Sequence, residues 1–292
     1  MLSFVREALI DAGLAAPQSR LTYNVVLSTG DALSMEVNDP EHGWYHVKAS
    51  RYRDLSEQFA RYCLARARFQ TRTPEPLAHV RLGGWSILMA HATDHRSVGA
   101  GDLAGAPESS RLGRDLLDFF AVAKAHATAD SKEPSHEAFM SEVRTYLSAY
   151  PGISPKVLAS LATLDRSLLA DIPHIPQHGD FVLNNLGRAH GRLLVFDWED
   201  YDATRLAGFD IFMMSLSVAG MNESSARMIQ QTEDPSGHPW SFAQDACVTS
   251  GLAYPTFRAA VPIYLLTFRY LKQNYGLEIG RRIDQILSRI LP

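Results

Sequence analysis

The stretch His178-Gly179-Asp180-Phe181-Val182-Leu183-Asn184-Asn185 sets a carboxylate five positions before an amide, with no lysine or arginine inside it. A second acidic stretch follows, Val195-Phe196-Asp197-Trp198-Glu199, with Asp197 twelve positions after Asn185. The chain between them, NNLGR then GRLLVFD, reads as two strand arms around a turn. A hairpin returns its second strand beside its first, so Asp197 can come back near Asn185. An amide oxygen and a carboxylate are hard donors, suited to Mg²⁺, which takes one or two carboxylates together with phosphate oxygens and water. Asp180 then stands close by without being a ligand, free to accept a proton from an attacking hydroxyl.

That division of labour belongs to kinase phosphoryl transfer: a loop Asp as base, an Asn five residues on for the metal, and a later Asp for the metal. Chain order then demands an upstream nucleotide lobe. Residues 22–28, 32–37 and 44–49 alternate apolar and polar positions between two sets of turn residues, predicting three antiparallel strands. The first turn, with Ser28, Thr29 and Gly30, supplies hydroxyls and backbone N–H groups for phosphates, although it lacks a full G-x-G-x-x-G. Lys48 ends a predicted strand, where it can reach the α- and β-phosphates. Glu57 lies nine residues further, on a helical run whose expected inner face is Leu55, Phe59, Tyr62, Cys63 and Leu64; it is the expected ion-pair partner of Lys48. A further strand pair is predicted over 77–90.

HGD-x4-N followed by VFDWE resembles the aminoglycoside phosphotransferase and choline kinase group of small-molecule kinases. The resemblance implies a protein-kinase-like α+β fold in two lobes, a small antiparallel β lobe with one helix and a larger, mainly helical lobe. It implies Asp180 as catalytic base, Asn185 and Asp197 as Mg²⁺ ligands, and ATP as phosphate donor. The Asp197-x-Glu199 pattern is similar to that of methylthioribose kinase, in which both acids serve metal binding, so Glu199 joins the expected ligands. LMAHA, residues 88–92, falls where the family's hinge offers backbone groups to the base, which puts Met89 and His91 among the expected nucleotide contacts. Asp210, in Gly208-Phe209-Asp210, matches the Asp that opens the next helix and braces the catalytic loop. The expected division is 1–92 for the nucleotide lobe and 93–292 for the catalytic and substrate lobe.

Composition sets the outer limits. A chain of 292 residues with 46% hydrophobic content can bury a large core. A net charge of −4 with no Lys/Arg-rich run gives no field for nucleic acid or an anionic membrane. Arg6, Glu7 and Asp11 interrupt the apolar stretch at the start, which reads as an amphipathic helix over 2–13 rather than a signal peptide. Cys63 and Cys247, far apart and outside any CxxC, read as reduced core thiols of a cytoplasmic protein. His174 and His178 have metal-ligand spacing, but Pro173 and Pro176 argue against a helix there. The Gly- and Ala-rich segment 96–107 reads as a connection.

The expected activity is ATP- and Mg-dependent phosphorylation of a hydroxyl on a small molecule. Glu199, Asp200 and Asp202, if they face the substrate, favour a cationic acceptor such as an amino sugar, a choline-like amine or an amino alcohol. The rival from another class is a nucleotide-binding regulator without catalysis.

Overall fold

The computed structural model describes residues 2–28, 32–103, 110–127, 135–149, 166–272, 281 and 283–286. The expected phosphate turn lies outside them at Thr29 and Gly30, as does the side chain of Ser28. The chain forms two compact units of an α+β fold. The first holds residues 1–96 with 194–199, and the second holds 97–193 with 200–292. The sequence reading drew the division as a single cut; the structure returns Leu194–Glu199 to the first unit.

The first unit is built on a five-stranded antiparallel sheet in the order β1-β2-β3-β5-β4. Its strands are β1 (Thr22–Ser28), β2 (Ala32–Asp39), β3 (Gly43–Ser50), β4 (Pro76–Leu82) and β5 (Trp85–His91). Gly83 and Gly84 join the last two with φ of +56° and +79°, the left-handed pair that a tight two-residue hairpin requires. Alternation gives the sheet two different faces. Leu33, Met35, Val37, Tyr45, Val47, Ile87 and Met89 point to one side and pack with Val5, Ala8 and Leu9 of helix α1 (Ser3–Asp11). Phe4 of that helix stacks on Trp85 at 4.7 Å. Burying each such side chain contributes roughly 1.5–3 kcal/mol. His46 and Lys48, being even-numbered on β3, are left for the opposite face, toward helix α2 (Ser56–Phe69). The inner face of α2 differs from expectation. Leu55, Gln58, Ala65 and Phe69 are the buried positions, while Cys63 and Leu64 are exposed. The true stripe passes through a polar residue, which a search for apolar spacing steps over.

The second unit is mainly helical. A short β6 (Arg96–Ser97) joins β7 (Leu186–Ala189) and β8 (Arg192–Val195) in a small sheet, and His190 and Gly191 turn the β7–β8 hairpin with φ of +50° and +73°. Helix α3 (Arg111–Ala125) is capped by Ser110, whose Oγ accepts from the Gly113 N–H at 2.9 Å. It is followed by α4 (His136–Ala149) and α5 (Arg166–Ala170). Helix α6 (Phe209–Val218) is buried almost all round, as a helix of near-continuous apolar sequence must be. Around it come α7 (Glu223–Gln231), α8 (Phe242–Ser250), α9 (Tyr254–Ala259) and α10 (Val261–Leu271). Tyr264 of α10 donates its hydroxyl to Ala207 O at 2.7 Å, tying that helix to the start of α6.

Candidate active site

The expected site residues fall into two clusters, one in each unit. In the first unit Lys48 Nζ donates to Asp197 Oδ1 at 3.2 Å and to Glu199 Oε2 at 3.1 Å. Burial alone would depress the Lys48 ammonium's pKa, but the carboxylates of Asp197 and Glu199 outweigh it and hold the value above that of an ordinary lysine. Glu199 is the enclosed member of the pair, with a side chain 5% exposed against 37% for Asp197. Gln58 Nε2 donates to the same Glu199 Oε2 at 2.8 Å, Arg53 approaches it at 3.6 Å, and Arg61 donates to the Glu199 carbonyl at 3.0 Å. Trp198 fixes the turn between the two acids: its indole N–H donates to Val195 O at 2.8 Å and its ring packs on Phe69. Asp197 has φ of +58°, in the left-handed region that Asp adopts more readily than most non-glycine residues.

Two expected contacts are displaced. Glu57 does not pair with Lys48. It is exposed and pairs with Arg61 one turn on at 2.5 Å, because the inward position of α2 is Gln58; Glu199 supplies the carboxylate instead. Met89 is fully buried among the residues facing α1, on a strand paired at both edges, and the His91 N–H is donated to Glu75 O at 2.8 Å. Neither leaves a free amide for a nucleotide base.

In the second unit the catalytic loop is held from beneath. The buried Asp210 at the start of α6 accepts from the N–H groups of His178 (2.6 Å) and Gly179 (3.0 Å), while its own N–H donates to Gln177 Oε1 at 3.0 Å. Burial raises the Asp210 carboxyl to about 7 against the pull of those two donors, and the nearby charge of Asp180 adds to the rise. His178 is buried and braces the loop: its Nδ1 accepts from the Asp180 N–H at 3.2 Å. Phe181 packs on Phe119 and Phe120 of α3, at 4.6 and 5.7 Å between ring centroids. Asn185 donates its amide to Asp180 O (2.8 Å) and Oδ2 (3.3 Å), so its own oxygen is left as an acceptor.

One functional residue had no signal in the sequence. Lys272, at the end of α10, reaches Asp180 Oδ2 at 3.2 Å and Asp200 Oδ2 at 2.8 Å. It is buried, yet the two carboxylates more than offset the desolvation and keep its pKa above the usual value. Asp180 Oδ1 has no hydrogen-bond partner among the described residues. Asp180 and Lys272 both line a cavity of about 370 Å³ inside this unit.

The sequence profile of the phosphotransferase enzyme family matches residues 12–236. The chain belongs to that family. Solved structures similar to this phosphotransferase include aminoglycoside phosphotransferase APH(2'')-IIa in a ternary complex with streptomycin and ATP. That match has a TM-score of 0.61 at 13% identity over 99% of this chain and 96% of the other. Aminoglycoside phosphotransferase APH(4)-Ia gives 0.58 at 13% identity over 100% and 98%. Choline kinase from Cryptosporidium parvum Iowa II gives 0.55 at 11% over 93% and 88%. At these identities the likeness is one of fold, and that fold is kinase-like. No curated protein matches the chain. No helix among the described residues is long and apolar enough to cross a membrane.

Proposed function

We propose that this phosphotransferase moves the γ-phosphate of ATP to a hydroxyl of a small molecule in the cytoplasm, with the first unit binding the nucleotide and the second the acceptor. The observation that carries this is the state of Asp180. Its loop is fixed by Asp210, one carboxylate oxygen is held by Asn185 and Lys272, and the other is left open beside a cavity. That is what a positioned base needs. Lys48, fixed by two carboxylates, serves the α- and β-phosphates.

The donor set fits Mg²⁺. Among the described residues no group of three or more His, Cys, Asp or Glu forms a metal cage. The amide oxygen of Asn185 in the second unit and the half-exposed carboxylate of Asp197 in the first are each a hard donor of the kind that suits Mg²⁺. An Mg²⁺ ion carried in with the nucleotide would supply neutralisation of charge on the phosphate oxygens. Glu199 we read differently from the sequence: with Lys48, Gln58 and Arg53 on one oxygen, it anchors Lys48 instead of ligating metal. The acids that suggested a cationic acceptor are each matched by the protein's own bases, Glu199 by Lys48, Asp200 by Lys272 and Asp202 by Arg205.

Melting curves with Mg·ATP and ATP consumption with a panel of alcohols test the proposal. At about a hundredfold excess over Kd, ATP should raise Tm by roughly 5–10 °C, and at least one alcohol should raise ATP consumption. Stabilisation without turnover on any acceptor would instead favour the regulator. No stabilisation would remove both readings.

A further inference from the structure

The cavity beside Asp180 has a chemistry that the reading above leaves unused. Its volume of about 370 Å³ is at the small end of the range for small-molecule sites. Val182, Leu216, Leu265, Phe268, Ile283 and Ile286 form most of its wall, and Met221 adds an adaptable thioether. Among the described residues, the charged ones lining it are Asp180 and Lys272, one of each sign and already paired at 3.2 Å. Ser217 Oγ accepts from the Leu183 N–H at 3.1 Å, which leaves Asn184 as the remaining polar side chain among the described lining residues.

Such a wall selects against charge. An ammonium entering it gives up its water and meets aliphatic carbon, and the one carboxylate among the described lining residues, Asp180, is already paired with Lys272. Asp200 and Asp202 are outside the lining. Asp200 is held by Lys272, and Asp202 is gripped by Arg205 through both oxygens at 2.9 Å each. A carbon skeleton gains instead, by about fourfold in association for each methylene fully buried.

We propose that the acceptor is an uncharged alcohol whose largely apolar body fills this cavity and presents its hydroxyl to Asp180. The proposal rests on the phosphotransferase reading and narrows it. In the step, the alcohol oxygen forms a bond to the γ-phosphorus. The bond from that phosphorus to the β,γ-bridging oxygen breaks, and its electron pair leaves with ADP. The alcohol proton passes to Asp180 Oδ1, giving a phosphate monoester.

The experiment measures kcat/KM for ATP consumption across straight-chain and cyclic alcohols of increasing size, beside choline, ethanolamine and amino sugars. ATP affinity is measured on the same protein. The expected result is a rise of about two- to fourfold per methylene until the cavity is full, with charged amines at least about tenfold poorer than uncharged alcohols of equal size. A second arm uses Met221→Asp, which puts a carboxylate in the wall at a half-exposed position with φ of +55°, a backbone conformation that Asp accepts readily. It should lower kcat/KM for the longest alcohol at least about tenfold without changing ATP affinity. Amines that match or surpass the alcohols, rates indifferent to chain length, or indifference to Met221→Asp would each overturn the assignment. A protein that transfers phosphate only to acceptors outside both series overturns the acceptor class alone; one that binds ATP and transfers to no acceptor, or binds no ATP, overturns the phosphotransferase reading beneath it.

Discussion

At Glu199 a single carboxylate oxygen takes an ammonium, an amide and a guanidinium, and this decides what the acid two positions after Asp197 can do. As an anchor for Lys48, its loss is felt by the phosphates. Glu199→Gln should therefore raise KM for ATP about tenfold while leaving the Mg²⁺ concentration for half-maximal rate unchanged. A shift in that concentration alone would make Glu199 a metal ligand. The contact of Asn185 with Asp180 could be read from the sequence because the two sit at a fixed offset within one loop. The partnerships of Lys48 with Glu199 and of Lys272 with Asp180 could not. They join positions 151 and 92 residues apart, and no local spacing records them.

Among the elements, the catalytic loop depends most on its glycine. Gly179 has φ of +89°, and a Cβ there would lie 2.6 Å from both the Cβ and the carbonyl oxygen of Asp200. Backbone on one side leaves nothing flexible to give way. Gly179→Ala should cost roughly 2–5 kcal/mol in stability and lower kcat by about a hundredfold through displacement of Asp180; chemical denaturation and steady-state kinetics check the two effects. Helix α4 carries a pH dependence of its own. Burial, with the stacked His174 at 3.5 Å, depresses His136 to about 4, and its Nε2 faces Ile172 O at 3.0 Å. The folded state then binds fewer protons than the unfolded one between about pH 4 and the ordinary histidine value of about 6.5. The stability from His136 is complete above that window and is lost as pH falls through it. Asp210 runs the other way: raised to about 7, its contribution is complete below the usual carboxylate range and is lost as pH climbs toward 7. His136→Leu should flatten the acid-side fall in Tm; an unchanged fall would place its origin elsewhere. The sheet was legible because β2 and β3 alternate strictly and glycines mark the β4–β5 turn. The face of α2 was misread because Gln58 turns inward to meet a carboxylate supplied from far along the chain.

Across the whole molecule, the sequence carries the five-stranded sheet first, the loop of Asp180 later, and one return segment, Leu194–Glu199, that rejoins the first unit. That return brings Asp197 and Glu199 to Lys48, and no reading by a single cut would foresee it. In the proposed reading, chemistry is divided accordingly: charge for the phosphates in one unit, the base and the apolar cavity in the other. If Asp180 is the base, binding and turnover are separable in one protein. Parallel measurement of ATP affinity and of phosphate transfer to the best acceptor, in wild type and Asp180→Asn, tests this most directly. The account predicts ATP affinity within about threefold of wild type and a transfer rate lower by about 10²–10⁴-fold. Transfer by Asp180→Asn at the wild-type rate would contradict it.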